Sequence, residues 1–318
     1  LQFVPEIWDH ILERFKRRHK VPGENNRRQA LVPEGAEYFQ NQNGTAPGLV
    51  IPFKKQVIVL LPGPPRELMG MWEQQAFPWL KQHFFQSTEV IQKQWRILGI
   101  GESDVEREIE PKLREIGAIE IGYCARAGEV DLRVISSDKA LLEKAHQIVT
   151  SQFKEAIYSL GTETMEEVVI RLAKAKGIQI STAESCTGGL ISHRLTQVSG
   201  SSEVFSFGWI TYANEAKTQE LEVPPDLFDL KGAVSQEVVE AMALGALRQS
   251  RSQIAVSVSG VAGPTGGTDE KPVGTCWIGW ATAQRVWSEK YLLSQNRETF
   301  KIMASQHALD GIRRWLEI

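Results

Sequence analysis

The segment Ile178–Thr182, IQIST, runs through AESCTGG into the helical pattern of Thr187–Val198. The apolar period changes from two to about 3.6 within a few residues, so a strand must give way to a helix through a tight turn at Ser185–Gly189. The same alternation continues on both sides. Met165, Val168, Val169 and Leu172 make a helix face that Gly177 ends. VFSFGWITYA reads as a strand, and a helix follows around Glu215–Leu221. Ser235 caps a helix to about Arg248, and IAVSVSG is a strand that ends in VAGPTGGTDEKPVG. TCWIGWATA and VWSEKYLL form a hairpin, and a last helix spans about Arg297 to Trp315. Strands alternating with helices predict a layered α/β domain over residues 161–318.

Two further segments precede it, as a chain of 318 residues allows. Over residues 89–160, QWRILGI is a strand and ESDVEREIEPKLREI a helix, with Ser103 as N-cap and Glu106 closing a capping box. IEIGYCA and EVDLRVIS form a hairpin, and DKALLEKAHQIVTSQFKEAI is a second helix. This β-α-β-β-α order predicts a small α+β domain with helices on one face of its sheet. Over residues 1–88, Ile7, Ile11, Leu12 and Phe15 recur at helical spacing. A polar Asn/Gly/Pro-rich stretch then leads to QVIVLL, read as a buried strand, and PGPPREL turns from it into a helix through Trp72.

Composition excludes several functions. A net charge of −3 and a pI near 6.2 give no basic footprint for nucleic acid or an anionic membrane. No apolar run is long enough to span a bilayer, and the first residues do not read as a signal peptide. Three separated cysteines predict a reducing, cytoplasmic setting without disulfides. The absence of CxxC and HExxH predicts no metal centre.

The chemistry concentrates at predicted strand ends. Ser185 is a candidate nucleophile, and backbone N–H groups near Thr187, Gly188 and Gly189 could hold an oxyanion. No histidine is placed as its base. Lys217, just after the strand in ITYANEAK, could serve if burial lowers its pKa, with Tyr212 and Asn214 lining the pocket. Gly263, Gly266 and Gly267 in SGVAGPTGG could wrap a phosphate or ribose, and Arg297 could pair with a phosphate or carboxylate. Each also has a plainer reading. Ser185 could be only a helix cap, Lys217 a solvated helix lysine, the glycine loop a connection and Arg297 a surface arginine. Cys186 reads as a small buried residue.

The four stretches STAESCTGGLIS, GWITYANEAK, GAVSQEVVEAMALGAL and SVSGVAGPTGGTDEKPVGTCWIG, in this order, resemble the C-terminal domain of the competence/damage-inducible CinA family. The resemblance implies a nicotinamide-nucleotide amidase, which converts nicotinamide mononucleotide (NMN) to nicotinate mononucleotide and ammonia in pyridine nucleotide salvage, without a cofactor. It implies Ser185 as nucleophile, Lys217 as base and a role for Arg297, and a homodimer. PGENNRRQALVPEGA, NGTAPG and LLPGPPREL resemble the later half of a molybdopterin-binding-like α/β domain, which implies an ADP-ribose pyrophosphatase using a divalent metal where that domain is complete. Its opening strands and GGxGPT motif do not occur in these 318 residues. The middle segment resembles the small domain placed between the two. The family name also leaves open a non-enzymatic binding role in competence or DNA damage.

Overall fold

The computed structural model describes residues 1–84, 90–294 and 296–318. It divides into two units, Leu1–Glu89 and Val90–Ile318.

In the first unit, Pro5 opens a helix, Pro5–Lys16, that turns Ile7 and Ile11 onto Ala30 and Val32. Three antiparallel strands, Glu37–Phe39, Gly48–Phe53 and Gln56–Leu60, pack Phe39 and Val50 against Met71 and Ala76. The expected buried strand is therefore an edge strand. Val57 and Val59 turn partly inward, whereas Ile58 and Leu60 are exposed, as period two requires when one face lacks a partner layer. The polar stretch before it is ordered by buried Asn41. Its Oδ1 accepts the N–H groups of Asn43 (3.0 Å) and Gly44 (2.6 Å), and its Nδ2 donates to Ala46 O and to Glu67 Oε2 (both 2.8 Å).

The second unit contains two sheets. The smaller is antiparallel throughout, in the order Glu120–Arg126, Glu129–Ser136, Ile91–Leu98, Ile157–Ser159. Val130, Leu132 and Val134 alternate onto one face, against Val105, Ile109 and Leu113 of the helix Glu102–Arg114 and Leu142, Ala145 and Val149 of the helix Lys139–Phe153. Two expectations fail here. The first helix begins two residues earlier, with Gly101 rather than Ser103 as N-cap and no side-chain cap. The second ends at Phe153, where Lys154 takes a positive φ of 25°, and Ile157–Ser159 adds a fourth strand beside Ile91–Leu98.

From residue 161 the elements, labelled in chain order, are α1 (Met165–Lys176), β1 (Ile180–Glu184), α2 (Leu190–Gln197), β2 (Phe205–Ile210), α3 (Asn214–Leu221), α4 (Asp226–Lys231), α5 (Gln236–Ser250), β3 (Ile254–Gly260), β4 (Thr275–Thr282), β5 (Val286–Leu292) and α6 (Arg297–Glu317). Thr164 and Glu167 make a reciprocal capping box on α1. Gly177 in the left-handed conformation ends α1, with the Ile178 N–H returning to Ala173 O (3.0 Å). The sheet order is β2-β1-β3-β4-β5. The first three strands are parallel, and β4 and β5 antiparallel.

Both faces are covered. Ile254, Val256 and Val258 of β3 pack against α1 and α6, while Ala255 and Ala183 face Val238, Met242 and Ala246 of α5. Each full burial of a Val, Ile or Met side chain contributes on the order of 1.5–3 kcal/mol, so α5 and α6 are fixed layers. This is the α/β class expected from the sequence. Helix α2 is further pinned by Arg194, which donates to Ser305 Oγ (2.8 Å), Gln306 Oε1 (2.5 Å) and Glu166 Oε2 (2.6 Å). Gln306 in turn donates to Glu129 Oε2 (2.6 Å) of the smaller sheet.

Helix α6 approaches β4 through Gly311, where an added Cβ would lie 2.3 Å from Trp280 Cε2. The indole cannot yield freely, because its Nε1 donates to Ala308 O (3.0 Å). Gly311→Ala is therefore expected to lower stability by about 1–3 kcal/mol through overpacking, despite the better helix propensity of alanine. A denaturant midpoint at or above wild type would contradict this packing.

Candidate active site

Parallel strands β1, β2 and β3 bring their carboxyl ends together, where an open α/β sheet places ligands. Ser185 follows β1 directly and is buried. Its N–H donates to Val258 O of β3 (3.0 Å), and on the other side Thr211 N–H donates to Glu184 O (2.9 Å). The start of β2's exit is thus fixed beside the start of the Ser185 turn.

That turn is longer than the sequence pattern indicates. Helix α2 begins at Leu190 rather than Thr187, because Gly188 (φ 62°) and Gly189 (φ 92°) are both left-handed, a conformation that favours glycine. Gly188 N–H donates to Ser185 O (3.1 Å). It is therefore occupied, whereas the N–H groups of Cys186, Thr187 and Gly189 make no hydrogen bond with any described residue. Thr187 Oγ1 is also fully buried without a partner. Ser185 itself caps no helix. Sequence reasoning missed the residue that holds the turn: Glu184, fully buried, accepts from Ile191 N (3.0 Å), Ser192 N (2.8 Å) and Ser192 Oγ (2.7 Å). A carboxylate just before a helix start is the signal that would have found it.

Lys217 is not a solvated lysine. It is 1% exposed and lies four residues before Leu221, the other buried residue of α3. Its Nζ donates to Tyr212 O (3.2 Å) and lies 3.5 Å from Ala213 O, and no carboxylate of a described residue pairs with it. Burial pushes its pKa below the ordinary lysine value, and the nearby Cys186 and Glu215 oppose that shift only in part. The Cys186 interaction places the ammonium in electrostatic reach of the residue after Ser185.

Arg297, first residue of α6, donates through Nη1 to Gly263 O (2.9 Å) and through Nη2 to Tyr212 OH (2.9 Å). It ties the loops after β2 and β3 to the helix after β5. Gly263 is buried under it, whereas Gly266 and Gly267 lie in the exposed part of their loop. Asn214 is exposed at the start of α3. Cys186 is 5% exposed in the same core cluster as Cys276, and burial, with Cys186 beside it, raises the Cys276 thiol well above its ordinary range.

Among the described residues no three His, Cys, Asp or Glu side chains group as a metal site. The divalent metal implied for the first unit therefore finds no ligand set in them. No helix among the described residues is long and apolar enough to cross a membrane.

The CinA C-terminal domain matches residues 162–316, and the damage-inducible protein CinA KH domain matches residues 92–160. A CinA-like protein of Akkermansia muciniphila is 44% identical over 301 residues, covering 94% of this chain and 72% of that protein. The chain belongs to the CinA family. The crystal structure of competence/damage inducible protein CihA from Agrobacterium tumefaciens is 37% identical, with a TM-score of 0.47, over 50% of this chain and 99% of that one.

Proposed function

We propose that residues 161–318 of this CinA-family chain hydrolyse the carboxamide of NMN to nicotinate mononucleotide and ammonia, with Ser185 as nucleophile and Lys217 as base. The observation that carries the reading is the burial of Lys217 without a counter-ion beside the Ser185–Cys186 turn. A lysine in that setting is held toward its neutral form. A neutral amine has two N–H groups and one lone pair. Tyr212 O takes one N–H, Ala213 O stands at the limit of taking the other, and the lone pair is left for a proton.

In the first half-reaction Lys217 Nζ takes the proton of Ser185 Oγ as Oγ bonds to the carboxamide carbon. The carbonyl oxygen becomes an oxyanion, and the turn's unoccupied N–H groups are the donors available to it. Lys217 then returns the proton to the departing nitrogen, the C–N bond breaks, and ammonia leaves. In the second half-reaction water, deprotonated by Lys217, attacks the seryl ester; Lys217 passes that proton to Ser185 Oγ as the acyl C–O bond breaks, and nicotinate mononucleotide leaves. Glu184 holds the turn, and Arg297 holds Tyr212 and the Gly263 loop.

The test is equimolar release of ammonia and nicotinate mononucleotide from NMN by the wild-type chain. No release removes the reading. Cys186→Ala supplies the control on the neighbouring thiol. A buried structural cysteine is chemically inert, so kcat/KM is expected within about threefold of wild type. A loss as deep as that of a Ser185 variant would make the cysteine the reacting group.

A further inference from the structure

Arg297 opens α6 and donates one Nη1–H to Gly263 O and one Nη2–H to Tyr212 OH. Lys301 lies four residues further along α6, on the same face. It is half-buried, and its Nζ comes within 3.7 Å of the position that a Cβ on Gly188 would take. Unlike Arg297, it makes no hydrogen bond or ion pair with any described residue. It stands at the Gly188 corner of the turn whose Cys186, Thr187 and Gly189 N–H groups are the oxyanion donors named above. A half-buried ammonium beside the reacting turn, unpaired with any carboxylate of a described residue, is arranged for an anion that the protein does not itself supply. The left-handed Gly188 keeps the approach open, since any side chain there would contact the ammonium.

We propose that Lys301 binds the phosphate monoester of the substrate and so selects a nucleotide over its nucleoside. The proposal rests on the NMN reading above. NMN carries negative charge only on its phosphate. Its pyridinium is cationic and its carboxamide neutral, so an unpaired ammonium attracts one end of the molecule and repels the other. Arg297 then acts as the strut between Tyr212 and Gly263.

The experiment titrates NMN and nicotinamide riboside into Ser185→Ala and into the same protein carrying Lys301→Met or Lys301→Arg. Methionine keeps most of the aliphatic stem and removes the charge, so the helix surface stays covered. In Ser185→Ala, NMN is expected to bind about 10–100-fold more tightly than the riboside, the range of a charge-assisted hydrogen bond. Lys301→Met closes that gap, and Lys301→Arg retains most of it. If wild type hydrolyses NMN and the gap survives Lys301→Met, the Lys301 assignment alone is wrong. If wild type neither hydrolyses nor binds NMN, the amidase reading falls and takes the phosphate site with it.

Discussion

Ser185→Ala is expected to fold as wild type does and to lose nicotinate mononucleotide release by a factor on the order of 10⁴–10⁶, the cost of removing a nucleophile from a concerted site. The two halves of this expectation have separate grounds. Ser185 is buried, yet its position rests on its backbone: the N–H bond to Val258 O and the carbonyl bond from Gly188 N–H survive the substitution. Its Oγ makes no hydrogen bond with any described residue, so its removal orphans no partner among them, and stability should change by less than about 0.5 kcal/mol. Reaction chemistry, in contrast, has no substitute at the turn. Cys186 is packed with Cys276 in the apolar core. The measurement is single-turnover release of both products, with the thermal midpoint as control on folding. A folded Ser185→Ala protein that retains activity within about tenfold of wild type would assign the nucleophile elsewhere.

The turn that carries Ser185 was legible because three local signals agree there: a β-prone run, two glycines and an apolar helical period. The β3 strand and the β4–β5 hairpin were legible for the same reason, since each is a strong period-two run bounded by turn residues. What the sequence concealed is set by tertiary context. The start of α2 slipped from Thr187 to Leu190 because two left-handed glycines lengthen the turn, and helical periodicity does not register backbone handedness. The helical reading ran on to Ile157 because KEA continues a helical pattern, and only pairing with Ile91–Leu98 makes Ile157–Ser159 a strand. QVIVLL read as buried because composition does not reveal that a sheet has only one covered face. Lys217 is the sharpest case. As a lone residue it is a surface lysine, but with Leu221 it forms the buried face of a short helix. Lys301 and Glu184 passed unnoticed because their significance lies in what faces them.

Lys217→Ala should lower kcat/KM for NMN by a factor on the order of 10²–10⁴, the usual contribution of a general base, and adding it to Ser185→Ala should cost little more, because the two act as one unit. The wild-type pH profile is the more specific test. Burial lowers the folded pKa of Lys217 below its ordinary value, so the reactive neutral amine appears as pH rises through that depressed pKa. kcat/KM should therefore climb on the alkaline side and level off before pH 10.5 is reached. Lys217→Arg, which cannot lose its proton in this range, should show neither the activity nor the rise. The same shift predicts a stability trend of determined sign. Between the folded pKa and the unfolded value of 10.5 the unfolded chain binds the extra proton, so wild-type stability gains with pH across that window. Below the folded pKa the cost of burying the ammonium is paid in full; above 10.5 it is gone. Lys217→Met has no such group. Its unfolding free energy, measured beside wild type at neutral and alkaline pH, should lose ground to wild type as pH rises. A parallel pair of stability curves would mean that Lys217 titrates as an ordinary lysine. Burial would then not favour the neutral amine, and the base of this reaction would have to be another group.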